Sequence, residues 1–205
     1  MKLSVIFNAL ASGELANLHL ADNAKSIFDD KKEIVLRSIN LGLTDLHTRF
    51  LLKKKVYEVL SDKTTKVYQI ADPECIEITH VYVNEVPQFI HYDYKQMNTK
   101  TIEFIEYPQD KQIIHLEFKA NHRQLSQEDI DNDADVELPM SYLNALLSFI
   151  ASRLYTSIVN QLDGDLNESH RYAQRYMQEI QLLTEQGIDV NDLTDNTWFY
   201  ERGFI

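Results

Sequence analysis

Apolar positions recur along this chain at two different periods, and the switch between them divides it. Leu3, Ile6, Phe7 and Leu10 step by three and four, predicting a short amphipathic helix that Gly13 ends. Val35, Ile39, Leu43, Leu46 and Phe50 keep that step through about four turns of a second helix, with Asp29 or Asp30 as its cap. Arg37 and Asp45 fall on its wet side, and Lys53-Lys54-Lys55 closes it against the negative end of the helix dipole. The strongest helical signal lies in residues 138–186, which reads as an antiparallel helical hairpin. Its first arm opens after Pro139 and aligns Leu143, Leu146, Leu147, Ile150, Leu154 and Ile158 on one face. Gly164 breaks the pattern, and Asp165 or Asn167 caps a second arm carrying Ala173, Tyr176, Met177, Ile180 and Leu183, with Gly187 as the residue that closes it.

Between residues 56 and 120 the period falls to two. Residues 56–60 and 66–70 flank Ser61-Asp62-Lys63-Thr64 as a hairpin candidate. Ile76, Ile78, His80 and Tyr82 alternate with Glu77, Thr79, Val81 and Val83. Residues 101–107 and 111–119 read as a second pair, joined through Pro108-Gln109-Asp110. Ile114, Leu116 and Phe118 face inward there, and His115, Glu117 and Lys119 face water. The fold expected is α+β: an antiparallel helical bundle, with an antiparallel β insertion between its second and third main helices and an extended C-terminal arm. Its parts are a helical segment (1–54), a β-rich lobe (55–122), an acidic linker (123–137), the helical hairpin (138–187) and the arm (188–205).

At 205 residues and 44% hydrophobic, the chain is long enough to bury a sizeable core. A net charge of −12 argues against gripping nucleic acid, which takes clustered Lys and Arg to displace counterions. The one cysteine, Cys75, forms no intrachain disulfide and sits in an apolar run as a small core residue, natural in a reducing compartment. The start carries no convincing cleavage signal, and nothing approaches the ~20 apolar residues of a membrane span, so the expectation is a soluble protein made in a cytoplasm.

Residues 127–137 hold six acidic side chains and no basic one. Framed from Asp129 as a calcium loop, the segment has Ala134 where glycine must turn and Met140 where a bidentate Glu is required; the frame from Asp163 fails the same way at Glu168 and Gln174. A solvated linker is the better reading. No catalytic motif appears, and five glycines are few for a site built from backbone loops. His80, His115, Glu117 and His122, with His91 nearby, could be drawn into a hydrolytic metal site, but alternation puts His115 and Glu117 on an exposed strand face where polar residues belong. No catalytic residue, metal or cofactor is therefore expected. The tyrosines and histidines of the β region suit a contact surface. The tail does so more strongly: after a polar stretch, Trp198, Phe199, Tyr200, Phe204 and Ile205 crowd the last eight residues, either folding back on their own core or anchoring in another subunit.

Three patches carry a family resemblance: Phe7-Asn8-Ala9-Leu10-Ala11-Ser12-Gly13-Glu14-Leu15-Ala16-Asn17-Leu18, Ile39-Asn40-Leu41-Gly42-Leu43-Thr44-Asp45-Leu46-His47-Thr48-Arg49-Phe50, and Leu138-Pro139-Met140-Ser141-Tyr142-Leu143-Asn144-Ala145-Leu146-Leu147 continuing to Ala151-Ser152-Arg153-Leu154-Tyr155 and Ala173-Gln174-Arg175-Tyr176-Met177. Together with the element order, they resemble the head-to-tail adaptors of tailed bacteriophages. The resemblance implies a non-enzymatic protein of the virion neck, a homo-oligomeric, dodecameric ring between the portal and the tail or nozzle proteins. Neighbours in such a ring meet through unlike faces, the ring gives DNA a passage without reading its sequence, and no membrane is involved. It also places Trp198, Phe199, Tyr200, Phe204 and Ile205 against the portal or a neighbouring subunit. The competing readings are a metal-assisted hydrolase using His80, His115, Glu117 or His122, and a different neck or tail-completion protein.

Overall fold

The computed structural model describes residues 1–16, 27–159 and 166–187. They form two compact units, residues 1–46 with 124–187 and residues 47–123.

In the first unit the helices are α1 (Leu3–Ser12), α2 (Asp29–Arg49, whose last residues belong to the second unit), α3 (Gln127–Asp131), α4 (Leu143–Val159) and α5 (Leu166–Glu185). α1 buries Leu3, Ile6, Phe7 and Leu10, as its spacing predicts. The stripe from Val35 to Phe50 is buried too, but so are Leu36, Ser38 and His47, a wider arc than one face. Asp45 departs from the wet side assigned to it: its carboxylate accepts a hydrogen bond from the Tyr176 hydroxyl of α5. Asn40 ties the same helix to Leu125, donating to its carbonyl and accepting from its N–H, both at 2.9 Å.

A 3-10 turn, Met140–Tyr142, follows Pro139 and leads into α4. α4 and α5 run antiparallel: Phe149 meets Tyr176 edge-on, Tyr155 stacks on Tyr172 and the Thr156 hydroxyl bonds that of Ser169, numbers falling in one helix as they rise in the other. The stripe α5 buries is Ser169, Tyr172, Tyr176, Ile180 and Leu183; Ala173 and Met177, predicted on the inner face, are exposed. The Tyr155 and Tyr172 hydroxyls donate to the Glu14 carbonyl, fixing the exit of α1. Gly187 closes α5 at φ +58°, a conformation that favours glycine. Ile158, Gly164 and Asp165 lie outside the side chains or residues described.

Residues 127–137 are more than a solvated linker. Asp129 accepts from the backbone and hydroxyl of Ser126 to start α3, Asp133 accepts from the Ser4 N–H at 2.8 Å, and Asp135 pairs with Lys2 at 3.0 Å. Backbone bonds from Leu3 to Ala134 and from Val136 to Met1 complete the seam. Asp133 and Asp135 thus reach separate partners at the N-terminal end of the chain, and Asp129 caps its own helix.

The second unit packs two antiparallel sheets. β1 (Lys54–Leu60), β7 (Ile113–Ala120), β3 (Cys75–Val83) and β4 (Val86–Gln88) form one in that order, and β2 (Val67–Gln69), β6 (Thr101–Phe104) and β5 (Tyr94–Asn98) form the other. Tyr68, Ile102 and Phe104 from the smaller sheet share a core with Ile78, Val81, Ile114, Leu116 and Phe118 from the larger. Both hairpins predicted from the sequence are absent. β1 pairs with β7, and β2 with β6, so each supposed hairpin is split between the sheets. Ser61 is the pivot of this arrangement: its backbone extends the β1–β7 ladder, and its hydroxyl bonds Gln109 and Gln112.

Two irregularities in β3, at Cys75/Glu77 and Ile78/His80, bring Cys75, Ile78 and Val81 inward every third residue in place of simple alternation. Burial pushes the Cys75 thiol above its ordinary range.

α2 ends at Arg49, and the lysine run belongs to β1 and its approach. Lys53 lies 3.1 Å from Glu74, and Lys55 lies 2.9 Å from Glu74 and 3.2 Å from Asp72. The hydrogen bond from Lys55 holds the Glu74 carboxyl below its ordinary value despite burial. Burial raises Asp72, but the Glu74 N–H and Lys55 together outweigh it and bring that carboxyl down as well. Native values below unfolded ones mean stability that is fully present above the ordinary carboxylate range of about 4 and is lost as pH falls through the native values. Lys55→Met should therefore lower the unfolding free energy from urea titration by about 1 kcal/mol at neutral pH, and the two proteins should converge in strong acid. A difference that persists undiminished at low pH would contradict the assignment.

Candidate functional site

Val56, Leu60, Val67, Met97 and Ile113 are exposed along the strands of the second unit, and a further set of exposed large apolar side chains lies on and beside three loops. The β3–β4 connection is the two-residue turn Asn84-Glu85, both at positive φ (50° and 67°), the backbone of a type I′ hairpin. Asn84 tolerates that conformation and also clips the turn to β7, donating from its N–H to the Ile113 carbonyl at 2.8 Å and accepting the Ile113 N–H at 2.9 Å.

The loop from β4 to β5 is held as firmly. The Asp93 carboxylate accepts the Phe89 N–H at 2.8 Å, the Asp93 N–H returns to the Phe89 carbonyl at 2.9 Å, and His91, at φ 70°, donates to the Tyr94 carbonyl at 2.7 Å. Ile105 donates to the Asp93 carbonyl at 2.9 Å, joining this loop to the third. In that third loop Lys66 donates to the Ile105 carbonyl at 2.6 Å and lies 4.4 Å over the Tyr107 ring, and the Gln109 N–H reaches Gln112 at 2.8 Å.

This backbone presents greasy side chains outward. Tyr92 is 84% exposed, Tyr107 59%, Val86 58% and Phe89 53%, with Ile90 and Ile105 also in water. Val86, Tyr92, Ile105 and Tyr107 line a groove of about 580 Å³ that also includes Asp93 and Glu106. Large side chains in water on loops whose conformation is already fixed lose little freedom on binding, which is what makes such a surface adhesive.

Of the residues considered for metal chemistry, His80, His115 and Glu117 share one face of the larger sheet, in two separate pairs, and His122 lies apart. His80 Nδ1 lies 3.5 Å from Glu117 Oε2, and His115 Nε2 lies 3.4 Å from Glu58 Oε1. The register places them in adjacent cross-strand rows on the face of the larger sheet opposite the Ile114, Leu116 and Phe118 side chains: Glu58, His115 and Tyr82 in one, Val56, Glu117 and His80 in the next. His122 is elsewhere, buried with its ring 5.6 Å from that of His47 and Nδ1 2.7 Å from the Arg123 carbonyl. Among the described residues no three His, Cys, Asp or Glu side chains converge as a metal ion requires. Lys119 was predicted to face water; it is buried, donating to the Thr48 carbonyl at 2.8 Å and lying 3.7 Å from Glu77.

Trp198, Phe199, Tyr200, Phe204 and Ile205 lie outside the described residues. The loop surface was legible in the sequence only as a region rich in tyrosine. No periodicity marks Phe89, Ile90 or Tyr92 as exposed, and the pair Asn84-Glu85 lacks the glycine that usually signals a two-residue hairpin. Among the described residues no helix is long and apolar enough to cross a membrane.

No family model matches the chain, and no curated protein matches it. Among solved structures it is similar to a chain from the neck of an empty GTA particle computed with C6 symmetry, at 12% identity over 79% of this chain and 87% of that one. The TM-score is 0.28, below what a shared fold gives.

Proposed function

We propose that this chain is a structural protein of a virion neck, an adaptor that joins the portal to the tail as one member of a homo-oligomeric ring through which DNA passes. The observation that carries the reading is the set of Val86, Phe89, Tyr92, Ile105 and Tyr107, exposed on hydrogen-bonded loops. Their exposure is a liability for a solitary protein and an asset for one that buries them against a partner. The three sequence patches that resemble head-to-tail adaptors supply the kind of assembly. A net charge of −12 suits a passage for DNA, since like charges repel and no counterions are released by contact. On this reading the work is adhesion, and His80, His115 and His122 serve the fold.

Particles assembled in the absence of the chain test this. The expected result is DNA-filled heads that carry no tail, restored by adding the protein back. Complete, infective tailed particles without it would end the proposal.

A further inference from the structure

The edges of the two sheets are not alike. Three of them carry a feature that discourages a further strand: β4 is three residues long with Pro87 at its centre, β2 is three residues long, and β5 breaks register between Gln96 and Asn98. β1, the remaining edge, is seven residues long, contains no proline and pairs with β7 without a break. Its ladder fixes which groups it leaves open. The Ala120 N–H donates to the Lys53 carbonyl and the Ser61 N–H to the Gln112 carbonyl, both at 2.8 Å, so the odd-numbered residues between them turn their backbone groups to β7. The N–H and C=O groups of Lys54, Val56, Glu58 and Leu60 turn the other way. Val56 and Leu60 are more than half exposed, and Ile113, opposite Leu60, is exposed as well.

The side chains along this edge select its occupant. Alternation puts Lys54, Val56, Glu58 and Leu60 on one face, and the half-buried Leu52 stands two residues ahead of them. These positions read Leu, Lys, Val, Glu, Leu; reversed, with the signs of charge exchanged, they read the same. Such a strand is complementary to an antiparallel copy of itself. With Val56 on a two-fold axis, Val56 meets its counterpart, Lys54 of each copy meets Glu58 of the other, and Leu60 comes beside Leu52. Moving the axis to Tyr57 sets Val56 against Glu58, and moving it to Glu58 sets two carboxylates opposite each other, which destabilises a ladder. We infer that β1 is a docking edge for β1 of a second copy, paired antiparallel about Val56 with Lys54 against Glu58 across the axis. Each pair then exchanges both of the backbone hydrogen bonds left open by β7. This contact is isologous, whereas neighbours in a cyclic ring meet through unlike faces. The dimer is therefore the state of the free chain, and the inference goes beyond the ring reading without resting on it. Self-pairing covers an edge that would otherwise invite irregular association, until the chain is incorporated.

The test uses the full-length chain, at concentrations below those at which larger assemblies form. Sedimentation velocity should show the wild type passing from 24.0 kDa to twice that mass as concentration rises. The Val56 and Glu58 amides, which point away from β7, should exchange with solvent at least tenfold more slowly in the dimer. Lys54→Glu and Glu58→Lys, each checked for folding by far-UV circular dichroism, should each weaken the dimer at least tenfold. A 1:1 mixture of the two should restore it, because each copy then offers the charge that the other lacks. Val56→Pro keeps its own ladder, since that N–H points away from β7, and should abolish the dimer. A wild type that stays monomeric until larger assemblies appear overturns the inference and leaves the ring reading standing. Charge variants that pair as tightly as the wild type overturn it too, as does a mixture that pairs no more tightly than either variant alone. A dimer whose Val56 and Glu58 amides gain no protection meets through another surface, and that result also ends the inference.

Discussion

Replacing Gly42 with valine should unfold the helical unit or cost it about 3 kcal/mol or more, the upper range for forcing atoms into a packed core. A Cβ at this position would stand 2.6 Å from Leu146 Cδ1, closer than real Cβ atoms approach, and 3.0 Å from Phe149 Cδ1, which would also have to give way. Leu146 is fully buried and Phe149 nearly so, leaving neither side chain free to swing away. Glycine in the middle of a 21-residue helix costs roughly 1 kcal/mol against alanine, so its presence argues that close approach of α2 and α4 matters more than helix propensity. Gly42→Ala should thus be destabilising in spite of its better propensity. Adding Leu146→Ala to it should cost less than the two separate changes summed, since the smaller side chain makes room for the new methyl. Urea unfolding followed by circular dichroism reads each step. A Gly42→Val protein as stable as the wild type would mean the two helices do not meet here.

The second large effect belongs to the β unit. Phe118→Ala should cost about 3 to 5 kcal/mol, because its ring lies in the core shared by both sheets at 1% exposure. Val56→Ala, on the exposed face of β1, should change stability by no more than about 0.5 kcal/mol. Native-state hydrogen exchange of the β7 amides is the suitable readout, since it reports this unit without assuming that the two units unfold together. Equal loss of protection in the two variants would contradict the inward direction of Phe118.

These cases also show which features the sequence made legible. Helix stripes were readable because packing imposes a three-and-four step wherever a helix lies on a core: Leu3, Ile6, Phe7 and Leu10 are buried as spaced, and so are Val35, Ile39, Leu43 and Leu46. On α5 the predicted face drifted, taking Ala173 and Met177 where Tyr172 is buried, because small and amphipathic residues on a polar helix leave the centre of the stripe poorly marked.

Strand partners were not readable. Alternation says which way a side chain points and nothing about its neighbour across the ladder, so segments adjacent in sequence were paired although β1 finds its partner in β7. Ser61, whose hydroxyl bonds decide where β1 ends, looks like any turn residue. The bulges in β3 converted a two-residue rhythm into a three-residue one, an outcome that depends on the partner strand. The roles of Asp133 and Asp135 were hidden for the same reason, since their partners Ser4 and Lys2 lie more than a hundred residues away. Of the candidate contact surface, the aromatic C-terminal segment was apparent in composition alone, whereas the groove needed three loops brought together in space.

Sedimentation velocity of the purified protein, from dilute to concentrated and then with its portal added, measures the central claim most directly. The account predicts one closed species of fixed mass, many times the 24.0 kDa of the chain, appearing above a threshold concentration or on the portal and unaffected by chelators. A 24.0 kDa monomer under every one of those conditions would contradict it.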